Sequence, residues 1–458
     1  MLGTLAAAGR QFSNNAAGAR ELYSMQQSLT SATESRLPAF TVVLLTSLYF
    51  SQGLPSGLLA HALPALLRQN QVPLEYIGYL KLLALPWMLK FVWAPWVDRY
   101  HFPWTGPHRS WILPMQLLVI LLLLTLSQLD PARIFDHYLL PFFVLLLLLN
   151  LSSATQDIAT DGLAVKLLPS RWRGLGNSIQ VSGYKLGLII GGSLLLLALD
   201  RFGWSVSFIT LAIMLAVLTL PVLIFREPPD VNEPVTAARG AGPDATGGLT
   251  YLWHNNRDFF QQPGIGSWLL VLVSYKLADA MGSAMVKPML VDLGLSLATI
   301  GTLTLVSSIT GMAAAVLGGF LYYRWGPRIT LPLFGFLQAL GIAGFALIAM
   351  GYTELHWIYG LSLFEQIADG MSTVALFALM MEQCRTGHEG ADYSLQACLQ
   401  VILGGLVGAT SGWLASQLGY QWHFSVCGLL GLLMLFFAWN FLSRHPGLAA
   451  GRKAAVTA

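Results

Sequence analysis

The sequence predicts an all-α membrane protein of twelve transmembrane helices arranged as two six-helix bundles. Three observations lead there: the composition, the spacing of apolar runs, and a repeat between the two halves of the chain. Of 458 residues, 55% are hydrophobic and only 10% are charged, with a mean hydropathy of +0.62. A soluble globular chain carries about a quarter charged residues, so the composition argues against a water-soluble enzyme. The net charge of +3 is too small to point to nucleic acid as a partner.

Residues 1–37 are polar and rich in small residues and lack the apolar run that follows the charged start of a secretory signal. They read as a disordered cytoplasmic tail. A bilayer crossing needs about 20 apolar residues, more when tilted. Runs of that kind cover 38–67, 75–97, 109–129, 136–168, 174–199 and 204–225. After a polar, Pro- and Gly-rich stretch they resume at 265–290, 296–322, 328–351, 354–383, 392–417 and 421–443. The expected organisation is a first bundle at 38–225, a cytoplasmic linker at 226–264, a second bundle at 265–443 and a cytoplasmic tail at 444–458.

Lysine and arginine set the orientation. With both ends inside, the inner segments carry Arg99, Arg109, Lys166, Arg171, Arg173, Arg226, Arg324, Arg328, Arg385 and Arg444 among others. The outer loops carry only Arg68, Arg133 and Arg201. Both termini are therefore expected in the cytoplasm. The stretch Ala94-Pro95-Trp96-Val97-Asp98-Arg99 after the second span recurs about 225 residues later as Gly319 to Arg328 after the eighth. Tandem halves of like orientation suit a carrier whose site lies between bundles near mid-membrane. Asp98, Arg99, Arg324 and Arg328, at helix ends, suit a cytoplasmic gate that latches the bundles by charge-assisted hydrogen bonds.

Charged residues within the spans carry the chemistry. Each costs roughly 2.5–3.5 kcal/mol at the bilayer centre and is normally kept for a partner, a cavity or a transported species. Asp157 and Asp161 lie i,i+4 on one helix face. Counting depth from the inner helix ends places Asp157 level with Lys185 and Asp161 level with Lys90. Lys276, Asp279 and Asp369 fall at similar depth in the second half, with Glu365 one turn from Asp369. Two readings of these pairs stay open: fixed ion pairs, or carboxylates that take up a proton or release a lysine to substrate during a cycle. The polar path would further include Gln52, His61, Tyr79, Lys81, Trp87, Gln156 and Tyr184.

Gly53, Pro55 and Gly57 predict either a break in the first span that bares carbonyls to a cavity or a packing kink. Gly174, Gly176, Gly187, Gly191 and Gly192 in the fifth span predict close helix approach and a rocking contact between bundles, with Gly404, Gly405, Gly408 and Gly412 as counterpart. Met281, Met285 and Met289 read as packing. Cys384, Cys398 and Cys427 show no metal or disulfide spacing. No Walker loop, HExxH or GxSxG occurs, so the sequence implies no cofactor, no metal and no catalysis.

At four stretches the chain resembles a branch of the major facilitator superfamily, the one shared by AmpG-like muropeptide permeases, acetyl-CoA carriers and siderophore permeases of the rhizobactin and pyochelin type. These are Leu48 to Pro55, Ala84 to Pro95, Gln156 to Gly162 and Gly183 to Gly187. The second-half copy also resembles the superfamily's G-x-x-x-D-R-x-G-x-R loop, with Tyr323 in the Asp place. Gly162-Leu163 after the second Asp is more similar to the siderophore type, since the muropeptide type carries an aromatic residue and a lysine there. The resemblance implies the major facilitator fold and proton-linked uptake of a ferric siderophore or small metal chelate across a bacterial inner membrane. A muropeptide permease, or a membrane sensor or scaffold without flux, is the alternative.

Overall fold

A computed structural model describes residues 38–63, 66–67, 83–102, 105–130, 138–227 and 249–445. The expected N-terminal tail, most of the second span's outer part including Tyr79 and Lys81, and linker residues 228–248 lie outside the described residues. Within Met1–Val42, a unit of its own, the described residues begin the first helix, where Val42 N–H donates to Pro38 O at 3.3 Å.

Every regular element among the described residues is helical. In the first half these are α1 (Ala39–Gly57), α2 (Leu85–Leu89), α3 (Ala94–Arg99), α4 (Arg109–Ser127), α5 (Leu139–Leu167), α6 (Arg173–Ile189) and α7 (Leu195–Ile224). Then come α8 (Leu249–Phe260), α9 (Ile265–Tyr275), α10 (Leu277–Asp292), α11 (Leu297–Trp325), α12 (Pro327–Ala349), α13 (Leu355–Glu382) and α14 (Glu389–Arg444). Among the described residues, nine helices are long and apolar enough to cross a bilayer. Two are double length: the continuous helical run Ser170–Ile224, which includes α6, a π-helical turn and α7, has 55 residues, and α14 has 56, which unbroken would reach roughly 84 Å at the usual rise. Glycines divide them. Gly203 (φ 77°) in the first run and Gly419 (φ 74°) in α14 take up conformations that an L side chain rarely adopts, so each run reverses and is long enough to cross twice. Large apolar side chains such as Leu140 (76% exposed) and Ile224 (72%) point outward, as lipid-facing residues do and as a water-soluble surface would not. The apolar interiors gather around Leu54, Phe142 and Phe208 in the first half and around Ile342, Phe345 and Phe424 in the second, where the methionines of α10 pack as expected.

Of the two readings open for Gly53, Pro55 and Gly57, the helix break does not form. α1 runs through Pro55 and ends in a π-helical turn, Leu58–Ala62, beside a second one at Ile190–Leu194. The glycines serve contact instead. A Cβ at Gly187 would lie 2.6 Å from Gly53 Cα, and one at Gly57 would lie 2.5 Å from Leu188 O. The stripe is pressed on two sides: Gly187, Gly191 and Gly192 lie against α1 within one half, while Gly174 and Ser178 lie against α11 of the other, where a Cβ on Gly319 would come 2.5 Å from Gly174 O and Ser178 Oγ donates to Ala315 O at 2.7 Å. Gly404 and Gly408 face Ala280 of their own half with room to spare, at 3.6 Å.

The linker holds a helix that polarity concealed. α8 carries aromatic residues at helical spacing, and its Tyr251 ring takes the Arg99 guanidinium at 4.4 Å. At its other end Arg385 donates to Asn255 O (3.1 Å) and lies over Phe259 (6.0 Å). Arg385 is also forked onto Asp392 at 2.6 and 2.9 Å. At the start of the linker, Glu227 accepts from His108 Nδ1 (2.7 Å) and backbone N–H groups of residues 108 and 109, with Lys166 at 3.5 Å. Burial opposes its charge, but the His108 bond and these cations outweigh it and hold the carboxyl below its ordinary pKa.

The two halves join at the arginine-rich end. Asp98 reaches across to the second half, where its partner is the N–H of Ala391 at the start of α14 (2.7 Å), not an arginine. Arg99 is engaged with Tyr251, and Arg324 and Arg328 make no ion pair among the described residues. The cross-half ion pair there is Arg173–Glu382 at 2.9 Å, which sequence depth did not single out. Where the loop motif has Tyr323 for Asp, the contact is aromatic: Trp172 stacks on it at 4.8 Å and Arg171 lies over it at 4.8 Å.

Two outcomes follow. Gly187→Leu should drive α1 and α6 apart at a cost of about 1–3 kcal/mol or more, whereas Gly405→Ala, with nothing near its Cβ, should not. Thermal unfolding in detergent reads this, and equal melting temperatures would refute the packing account. Burial pushes Asp98 up to about 7 in spite of the Ala391 bond, against about 3.9 for a free carboxyl. Closing this end therefore takes up a proton in the window between those values. Acid favours the closed form, and the preference is lost as pH rises through about 7. Spin-label distances between Pro169 and Arg328 should lengthen between pH 6 and pH 8 in the parent but not in Asp98→Asn, which stays neutral; a pH-independent parent would refute it.

Candidate functional site

The buried lysines sit where helices are interrupted. In the second span, Pro86 and Pro95 stand in the first turns of α2 and α3, where a missing N–H costs nothing. The 3-10 turn Lys90–Val92 lies between them, so Lys90 is carried on a short, irregular segment. In the seventh span, Lys276 (φ −102°, ψ 2°) separates α9 from α10. Discontinuous helices free backbone groups and turn side chains toward an interior path.

Lys90, 3% exposed, forms its ion pair with Asp157 and has Asp161 at 3.8 Å. The Tyr49 hydroxyl (3.1 Å) and Gln180 Nε2 (3.2 Å) both donate to Asp161 Oδ1. The Tyr393 hydroxyl of the second half reaches Gln180 at 3.4 Å. Lys90 also lies 5.6 Å from the Trp87 ring, which is held by its Nε1–Asn150 bond of 2.7 Å. Gln156 and Gln116 both donate to Ser51 Oγ, at 3.0 and 3.2 Å. Gln52 is buried with its Nε2 unpartnered. Tyr184 lies in reach of Ser56 and of the Lys90–Asp157 pair.

The second cluster stands on α9, α10 and α13. Lys276 Nζ donates to Asp369 Oδ1 (2.7 Å) and Ser372 Oγ (2.8 Å), with Asp279 at 3.8 Å. Thr373 completes Asp369 at 3.3 Å. A cavity of about 220 Å³ opens beside these groups, lined by Lys276, Asp279, Asp369, Thr373 and Gln400. Glu365 is 5% exposed and its hydrogen bond comes from its neighbour Gln366 (2.9 Å). Among the described residues no cation lies within ion-pair distance of it.

The pairing inferred from depth is corrected here. Lys90 takes both Asp157 and Asp161, and Lys185 pairs with neither. Depth sets the level of a side chain but not its direction. Gly183 and Gly187 press against α1, and Lys185 is two residues from each, about 200° around the helix at 3.6 residues per turn. It thus faces the second half, where a Cβ on Gly311 would lie 3.2 Å from its Nζ. Asp369 and Asp279 are within its electrostatic reach, yet among the described residues it has no ion pair. His61 is exposed beside Gly192 at the paired π turns, apart from both clusters. Tyr49, Gln180, Asn150, Ser372 and Tyr393 were not singled out from sequence. Ser372 and Thr373, at i+3 and i+4 from Asp369, had a helical-spacing signal; Tyr393, from the other half, had none.

The chain was compared with known proteins. The Major Facilitator Superfamily model matches residues 45–409. The anhydromuropeptide permease of Escherichia coli K12 is 30% identical over 402 residues, covering 86% of this chain and 78% of that protein. A putative transporter AmpG 4 of Rickettsia conorii is 25% identical over 393 residues, covering 84% and 92%. Among solved structures, the proton:xylose symporter XylE superposes with a TM-score of 0.67 at 13% identity, covering 88% of this chain and 95% of that one. The outward form of FucP gives 0.64 at 16%, covering 89% and 99%. With its helical fold, two buried lysine–carboxylate clusters and this match over most of its length, the chain belongs to the Major Facilitator Superfamily and is a homologue of the AmpG-like permeases.

Proposed function

We propose that this chain is a secondary transporter of a muropeptide-like solute, a sugar bearing a short peptide, moved by alternating access. The observation that carries the reading is Lys185: a cation at mid-span, without an ion pair among the described residues, directed from the first half at carboxylates of the second. A peptide carboxylate suits that Nζ, amine and amide groups suit Asp279, Asp369 and Gln400, and a sugar ring suits the indole of Trp87. The relatives that carry a substrate name support this over the ferric siderophore expected from the sequence; none of those reported above is a siderophore permease. The moving parts are the helices of 38–225 and 265–443, closing and parting at the Asp98–Ala391 and Arg173–Glu382 contacts. Protons supply the drive, with Glu365, buried beside Asp279 and Asp369 and with no cation at ion-pair distance among the described residues, as their carrier. The protein sits in a bacterial inner membrane with both termini inside.

Uptake of labelled anhydromuropeptide into cells lacking and regaining this chain tests the reading. Regained uptake is expected, with loss in Asp157→Asn and in Asp161→Asn, each of which leaves Lys90 one carboxylate and the fold in place. Equal uptake with and without the chain would remove the substrate claim. Lys185→Met breaks no ion pair among the described residues and should leave the melting temperature unchanged. It should raise the KM for uptake about tenfold or more, as the loss of a charged hydrogen bond of roughly 1.5–3 kcal/mol requires. An unchanged KM would return Lys185 to a structural role.

A further inference from the structure

At the arginine-rich end lies a cavity of about 530 Å³ whose walls come from three places. Val92 stands on the second span, Trp253 and Phe260 on α8, and Leu399 and Ile402 on α14. Apart from the Cys398 thiol, Asn256 is the polar group in its lining. The cavity opens sideways: Val92 (41% exposed), Trp253 (70%) and Phe260 (45%) edge it, and Leu89 and Val401 continue the apolar surface on the same two spans. These faces of membrane-crossing helices meet acyl chains, not water. The third wall, α8, is amphipathic, with exposed His254, Arg257 and Asp258 beside its aromatic residues, the pattern of a helix lying in the headgroup plane. Arg257 is one turn from both Trp253 and Phe260.

We propose that this cavity binds one acyl chain of an anionic phospholipid, with the headgroup held at Arg257, and that the bound lipid stabilises the closed arginine-rich end. The volume lies in the range of small-molecule sites, and a basic residue at the rim of an interhelical pocket is what a lipid phosphate requires. The link to closure is geometric. α8 is tied to the first half through Arg99–Tyr251 and to the second through Arg385–Asn255. Val92 and Leu399 belong to different halves, so the walls are together only while that end is shut. The occupant is lipid and not transported solute, because the lysine–carboxylate clusters contribute nothing to the lining.

Native mass spectrometry of the full chain released from nanodiscs containing phosphatidylglycerol tests the site. One retained phosphatidylglycerol is expected for the parent and for Leu406→Ala, a lipid-facing control outside the lining. Leu399→Trp, which fills the cavity, and Trp253→Ala, which removes a wall from an exposed position, should each weaken retention about tenfold, the equivalent of one aromatic contact of ~1.4 kcal/mol. No retained lipid in the parent, or equal retention in both variants, would overturn the site. Should Leu399→Trp fail to fold, Trp253→Ala decides alone. Adding phosphatidylglycerol should also shorten the Pro169–Arg328 label distance in the parent and not in Trp253→Ala; bound lipid with unchanged distances would overturn the link to closure.

Discussion

An ion inside hydrocarbon must have a partner, and much of this structure follows from satisfying Lys90. Its ammonium is held against Asp157 with Asp161 close by, and a lone charge at that depth would neutralise itself or rearrange its surroundings. The second span is interrupted by two prolines so that Lys90 can reach the carboxylates. α5 presents them one turn apart, and Tyr49 and Gln180 saturate what Lys90 leaves of Asp161. Lys276 repeats the solution with Asp369, Asp279 and a second helix interruption. Lys185 and Glu365 stand outside these pairs, and the interest of the site lies in those two.

The same economy appears at the arginine-rich end, where the two halves exchange comparable contacts through different chemistry. The end of the second span offers Asp98 to the start of α14, where unpaired N–H groups and the helix dipole favour an acceptor. The end of α11 offers Tyr323 to Arg171 and Trp172 at the start of α6. A carboxylate–amide bond in one place and a stacked aromatic in the other answer the same need. Burial raises the Asp98 carboxyl, so the first contact responds to protons.

Legibility varied with the kind of interaction. The spans could be read because each is a single run of apolar residues, and α5 and α13 begin and end within three residues of the runs at 136–168 and 354–383. The buried charges were legible as a set, since a charge within such a run stands out: Lys90, Asp157, Asp161, Lys276, Asp279, Glu365 and Asp369 all lie in the two clusters. Their partners were not. Tyr393 and Gln180 are ordinary by local spacing and meet only across the halves. α8 was missed because its apolar residues are diluted by polar ones, and a helix in the headgroup plane has no need of an unbroken apolar run.

The sequence by itself determined that this chain lives in a bilayer and which charges are carried to depth. Those properties are local: hydropathy and residue type are written along one dimension. Only the tertiary structure decided that Lys90 takes both aspartates, that Lys185 crosses to the other half, and that Gly187 of α6 joins α1 while Gly174 meets α11 of the other half. Rotation about a helix axis is set by the neighbours it packs against, and a few degrees per residue, summed along a span, separate one partner from another.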